Sequence, residues 1–363
     1  MTIACPVARV DVPRGWGKVT PAFMTEALAA RYPGVVVSAV QLASVDNGTT
    51  SRTSAEITYS AGRGPARVFV KAQGRLDHRL VLAAVRGLLP EAKMFLSNEP
   101  LPVEMPEVYG VGVDARRADT IVVIEDVTAR GAAPNIATSP LSVDQVGDGL
   151  DGLARLHARF WDRPLPASLR FLRPWTLASG WTPLALTGVG LGVHKLRAAG
   201  HGAVLPAAVR SRSRLFRGFH RYSAMARSGA QTVLHGDAHV GNTYALPDGA
   251  TGFYDWQLVR TGAWLHDVGY FMVSALRTED RRTHDRDLLT RYLESLRAAG
   301  VSAAPDAAAA WASYRTTPIY GLNIFLQTLA LGDYQSDAVS ATCIERFASA
   351  FDDLATSTSG VLH

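Results

Sequence analysis

His235-Gly236-Asp237-Ala238-His239-Val240-Gly241-Asn242 is the stretch on which the reading of this chain turns. It is joined by Phe253-Tyr254-Asp255-Trp256-Gln257, whose Asp255 follows Asn242 by thirteen residues. Taken alone, an Asp after Gly ordinarily bonds its own backbone in a turn. Asn242 and Asp255, taken alone, are hairpin residues between short strands. Together they read differently. An Asp at one end of a tight loop accepts, or at least orients, a hydroxyl proton. The amide oxygen five residues later and the second carboxylate are the hard oxygen donors that a magnesium ion takes.

The rest of the chain bounds what such a site serves. With 363 residues it is long enough for two lobes sharing a cleft, each with its own core. Hydrophobic residues at 47% and charged residues at 19% are proportions of a globular protein, not a disordered one. Two cysteines, Cys5 and Cys343, stand at opposite ends, which excludes a disulfide framework and points to a reducing cytoplasm. Met1 to Pro6 shows no basic region leading into an apolar run, so no secretory signal is expected. No window approaches the roughly 18 to 20 continuous apolar residues of a membrane span. The net charge is +5, and basic residues gather between His194 and Arg227, including Arg197, Arg210, Arg212, Arg214, Arg217 and Arg221. They read as a solvated helix face. No interleaved aromatics or binding motif accompany them, and no nucleic-acid partner is expected.

Thr20-Pro21 caps and opens a helix through about Arg31, closed by Pro33-Gly34. Three strands are expected at Val35 to Val45, Thr53 to Ser60 and Ala66 to Ala72. Asp46 to Ser51 and Gly62 to Pro65 supply the turns between them. Helical turns start near Asp77 and at Pro90-Glu91, and two more strands cover Val108 to Val113 and Thr120 to Glu125. From Ser142 the apolar spacing becomes helical, with Val146, Leu150, Leu153, His157 and Phe160 on one face. The remainder of the chain is helical apart from a hairpin around Val233 to Asp255. The chain is therefore α+β, strand-rich first and helix-rich second. The expected division is into two lobes, 1–126 and 127–363.

His-x-Asp-x-x-x-x-Asn followed by Asp-x-x resembles the kinase signature. Gly236 stands where protein kinases carry Arg, and Trp256-Gln257 where they carry Phe-Gly. This pairing resembles the aminoglycoside-phosphotransferase and choline-kinase group of the protein-kinase-like superfamily, most closely its ecdysteroid-kinase-like small-molecule kinases. Leu153 to Trp161 also resembles the group's core helix before the catalytic loop. The resemblance implies a protein-kinase-like two-lobe fold, with an N-terminal antiparallel β-sheet lobe and a larger, mostly helical C-terminal lobe. It also implies ATP and Mg²⁺ as cofactors.

Asp237 is then the catalytic carboxylate, and Asn242 and Asp255 are the metal ligands. Lys71, in Val68-Phe69-Val70-Lys71-Ala72, matches the lysine that grips the α- and β-phosphates. Glu91 is its candidate ion-pair partner, with Glu99 nearby in sequence. Gly48, Thr49, Thr50 and Ser51 stand for the phosphate loop, with one glycine where protein kinases carry three; their amides and hydroxyls would meet phosphate oxygens. Glu125 to Val127 resembles the hinge, where backbone groups of Glu125 and Val127 would bond adenine. His235 packs inside the loop, and His239 lies near nucleotide or metal. Asp267 braces the loop or caps the following helix.

In this group the C-terminal helices form the acceptor pocket, making Trp311, Tyr314, Tyr320, Asn323 and Phe325 candidates. Polycationic aminoglycosides need several carboxylates to repay desolvation. Ser302 to His363 carries only Asp306, Asp333, Asp337, Glu345, Asp352 and Asp353. The expected acceptor is thus a neutral or partly apolar alcohol, with aminoglycoside O-phosphorylation as the alternative. Two other classes stay open. One is a nucleotide-binding pseudokinase. The other is a metallohydrolase using His235, Asp237 and His239, for which no water base is evident.

Overall fold

The computed structural model describes residues 6–174, 181–332 and 335–362. Its elements divide into two compact units. The first comprises Met1–Ala133, Leu165–Leu172 and Tyr254–Leu258; the second comprises Pro134–Pro164, Arg173–Phe253 and Val259–His363.

The first unit is built on β1 (Ala8–Arg9), β2 (Val36–Leu42), β3 (Asp46–Asn47), β4 (Thr50–Ala61), β5 (Arg67–Gln73), β6 (Val108–Asp114) and β7 (Asp119–Glu125). The sheet runs β1-β6-β7-β5-β4-β2, with β3 pairing β4. All pairings are antiparallel except that of the two-residue β1 with β6. Strand alternation puts Val68 and Val70 into a core shared with Ala55, Ile57 and Val123. Lys71 is thereby turned to the other face. Helix α1 (Pro21–Ala29) covers the core with Met24, Ala27 and Leu28, and Thr20 Oγ1 accepts from the Phe23 N–H at its start. Helices α2 (Leu76–Ala84) and α3 (Pro90–Ser97) complete the unit.

The second unit begins beyond β8 (Ala133–Pro134) with α4 (Val143–Phe160), which Ser142 and Gln145 start with a reciprocal capping box. Its apolar face is buried from Val146 to Phe160. Around it lie α5 (Trp181–Ala198), α6 (Arg212–Met225), α7 (Leu265–Ala275), α8 (Thr278–Ala298), α9 (Ala307–Tyr314), α10 (Pro318–Leu331) and α11 (Asp337–Asp353). Four strands remain: β9 (Gln231–Leu234), β10 (Thr243–Ala245), β11 (Thr251–Phe253) and β12 (Arg260–Ala263).

Two expectations are corrected. The single hairpin around Val233 to Asp255 is two pairings, β10 with β11 and β9 with β12. The reason is that β9 finds its hydrogen-bonding partner downstream, beyond Asp255. The first long strand also stops at Leu42 rather than Val45. Among the described residues, no helix is long and apolar enough to cross a membrane. Cys343 is buried in α11, while Cys5 and Asp333 lie outside the described residues.

Candidate active site

Each unit holds part of the constellation. In the first, Lys71 Nζ donates to Glu91 Oε1 at 3.0 Å and to Asp255 Oδ1 at 2.7 Å. Glu91 reaches it from the first turn of α3, which Pro90 opens. The same Oε1 accepts the Trp256 N–H at 2.9 Å, so one carboxylate holds both the lysine and the backbone after Asp255. Glu99, the other candidate, accepts from the Ser168 hydroxyl instead. Asp255 has φ 65, a left-handed conformation that Asp tolerates better than most residues.

Burial favours a neutral Lys71 amine, but the charges of Asp255 and Glu91 outweigh it and hold the ammonium above its ordinary value. Burial raises the Glu91 carboxyl, opposed by Lys71. Thr50, Lys71, Gln73, Glu91, Thr120 and Gln257 line one cavity.

The expected phosphate loop is shorter than its sequence suggests. Asp46 and Asn47 pair with Arg52 and Ser51, so Thr50 and Ser51 belong to β4 and are buried. Gly48 and Thr49 alone lie outside strand structure. At the other end of the sheet, Glu125 closes β7 and its N–H donates to the Glu107 carbonyl. Val127 opens a 3-10 turn capped by Asp126, whose carboxylate accepts the Thr128 N–H at 3.1 Å. The Asp126 carboxylate itself pairs with Arg67 at 2.8 Å.

In the second unit, the loop after β9 is gripped by Asp267. Its two oxygens accept the N–H groups of His235 at 2.7 Å and Gly236 at 2.9 Å. Asp267 is the third residue of α7 and does not cap it; the N-cap position is Trp264. Burial raises the Asp267 carboxyl, but the hydrogen bond and charge of His157 and the field of neighbouring histidines overcome this and leave it below its ordinary value. Gly236 has φ 84, which lets the chain turn sharply before Asp237.

Asp237's N–H donates to His235 Nδ1 at 3.3 Å, so that ring serves the loop backbone. Asn242 Nδ2 donates to the Asp237 carbonyl at 2.9 Å and carboxylate at 3.1 Å. With both N–H bonds directed there, the Asn242 Oδ1 has no protein donor among the described residues. The His239 ring meets Tyr270 and Phe325 edge-on, and its Nδ1 accepts the Gly241 N–H. No group of three or more His, Cys, Asp or Glu that could hold a metal occurs among the described residues.

The acceptor candidates separate. Burial raises the Tyr320 phenol, as does the charge of Asp237, so this side chain lies within the field of the loop. It stacks on Phe219 and Tyr222. Asn323 instead ties α10 to α6, its amide donating to the carbonyls of Leu215 and Ile319. Trp311 lies under the Arg286 guanidinium at 3.9 Å, and Tyr314 is fully buried beside it.

Three residues near the loop escaped the sequence reading as site residues. His157 Nε2 lies 3.3 Å from Asp267 and its Nδ1 lies 2.8 Å from the Tyr292 hydroxyl. A histidine on the apolar face of α4 was the available signal. His266 Nε2 bonds the Gly236 carbonyl at 3.2 Å. Burial pulls Arg260 below its ordinary value against the opposing fields of Tyr320, Asp237 and Asp267. In sequence it lies just beyond the expected hairpin and carries no signal of its own.

The sheet-based unit thus holds a lysine between two carboxylates, and the helical unit holds an Asp-Asn loop. Residues 60–311 match the phosphotransferase enzyme family, and the chain belongs to it. A choline kinase from Cryptosporidium parvum Iowa II is similar at TM-score 0.52 and 9% identity, over 89% of this chain and 94% of that one. A spectinomycin phosphotransferase in complex with ADP and spectinomycin is similar at TM-score 0.50 and 14% identity, over 91% and 97%. An aminoglycoside-3'-phosphotransferase of type VIII aligns over 81% and 96% at 21% identity and TM-score 0.44. No curated protein matches the sequence.

Proposed function

We propose that this phosphotransferase moves the terminal phosphoryl group of ATP, with Mg²⁺, to a hydroxyl of a small neutral or partly apolar molecule. The observation that carries the reading is Lys71, buried and held as an ammonium between Glu91 and Asp255. A charge fixed by two carboxylates suits a site where nucleotide phosphates and a cation exchange places with part of that ion pair. The spectinomycin phosphotransferase solved with ADP supports the choice of an adenine nucleotide. In this reading the 1–126 lobe carries the nucleotide, and the hinge groups of Glu125 and Val127 take adenine.

Asp255 and Asn242 are the residues assigned to Mg²⁺. A carboxylate and an amide oxygen without a protein donor fit a cation that draws its other ligands from phosphates and water. When bound, the ion neutralises charge on the phosphates. Asp237 orients the acceptor hydroxyl and receives its proton, and the hydrogen bond from Asn242 keeps that carboxylate in place. Asp267 fixes the loop backbone, so the carboxylate meets the acceptor without reorganising.

The acceptor class follows from charge. Asp353 is paired with Arg281 and Arg282, and Asp306 caps α9, which leaves few carboxylates for a polycation. Phenols and rings, Tyr270, Tyr320, Phe325 and His239, gather instead in the loop's neighbourhood. A panel of sterols, macrolides, amino alcohols and aminoglycosides, with ADP release as readout, tests this. Turnover confined to aminoglycosides overturns the acceptor class. In the same assay Asp237→Ala is expected to lower kcat by at least about 10²-fold with ADP binding retained; undiminished turnover removes Asp237 from its role.

A further inference from the structure

His78 is a histidine that the site does not use, yet it is only 3% exposed. It faces inward from the first turns of α2, and its Nδ1 lies 2.5 Å from the carbonyl oxygen of Gly48, at the tip of the β3–β4 hairpin. A carbonyl only accepts, so Nδ1 carries the hydrogen in this bond. The same tip is held from a second side by Gly74, directly after β5. A methyl group added there would stand 3.1 Å from the Thr49 carbonyl oxygen and 3.3 Å from the Thr50 Cα. The segment 74–78 therefore cradles the tip by close backbone approach at one end and a hydrogen bond at the other.

We propose that His78 is a positioning residue for the nucleotide's phosphates, acting through the Gly48–Thr49 peptide; this rests on the ATP-dependent reading above. The warrant is the planarity of a trans peptide, in which the carbonyl of one residue and the N–H of the next point in opposite directions. Anchoring the Gly48 carbonyl on α2 aims the Thr49 N–H away from α2. That N–H has no protein acceptor among the described residues. It is a donor held in a fixed direction for an anion, beside Thr50, which lines the same cavity as Lys71 and Glu91. A flexible single-glycine tip would lose this aim by rotating the peptide. His78 substitutes for the rigidity that further backbone bonds would give.

The test uses the full chain and calorimetric titration with ADP in excess magnesium, beside adenosine, which lacks phosphates. His78→Leu removes the donor and is expected to weaken ADP about tenfold, equivalent to about 1.4 kcal/mol, while adenosine affinity stays within about twofold. His78→Asn offers an amide N–H near the Nδ1 position and is expected to restore most of the ADP affinity. Gly74→Ala, which displaces the tip without touching His78, is expected to weaken ADP selectively as well. A purely structural role for His78 would lower the melting temperature and weaken both ligands alike, which overturns the inference. So does a His78→Leu protein that binds ADP as the parent does. If the parent protein binds neither ADP nor ATP, the phosphotransfer reading itself fails, an outcome separable from the other two.

Discussion

Glu91 does two things with one carboxylate, and the pair of substitutions Glu91→Gln and Glu91→Ala separates them. Glutamine keeps an oxygen for the Trp256 N–H and removes half the negative charge around Lys71. It is expected to raise the ATP KM while unfolding stability stays within about 1 kcal/mol of the parent. Alanine strips both partners and leaves a buried N–H unpaired, with an expected loss of about 3 kcal/mol in urea denaturation. Equal losses for the two variants would show that only the charge matters. At this scale, legibility depended on whether a residue's partner lies nearby in the chain. Asp237 and Asn242 announce each other across five residues. His157 and Asp267, 110 positions apart, carry no mutual signal until α4 and α7 are packed. Arg260 was hidden because its significance comes from the fields of Tyr320, Asp237 and Asp267, which only the fold brings to bear on it.

Among the elements, those with a strong local period were legible and those defined by pairing were not. α4 shows its apolar stripe in the sequence, and β5 shows alternating valines around a single lysine. β12 has four residues, two of them Thr and Gly, and exists because β9 needs a neighbour. The crossing of α5 and α10 was equally invisible. Gly192 allows it: a Cβ there would lie 2.0 Å from the Leu326 carbonyl oxygen, a backbone atom that no rotamer change relieves. Gly192→Ala is therefore expected to destabilise the protein by about 1 to 3 kcal/mol, despite alanine's better helix propensity. Denaturation midpoints measure this, and a stabilised Gly192→Ala protein would mean that the two helices do not approach so closely.

For the whole molecule, one buried histidine sets an acid limit. Burial is the main cause that brings His266 down to about 4 from 6.5. As pH falls below 6.5, the unfolded chain takes up the proton while the folded chain refuses it. Stability is thus complete above 6.5 and declines towards pH 4, by about 3 kcal/mol from this group. His266→Gln should flatten the dependence in that window when denaturation midpoints are followed against pH. An unchanged slope would place the acid sensitivity elsewhere. One feature of the chain's division reaches into its synthesis. Residues Tyr254–Leu258 belong to the first unit, although the chain on both sides of them belongs to the second. A ribosome that has delivered only the first 133 residues has delivered Lys71 and Glu91 without Asp255 or the Trp256 amide. The amino-terminal unit of this enzyme must wait, incompletely assembled, for a strip translated more than a hundred codons later, and cutting the gene after residue 133 would strand it in that state.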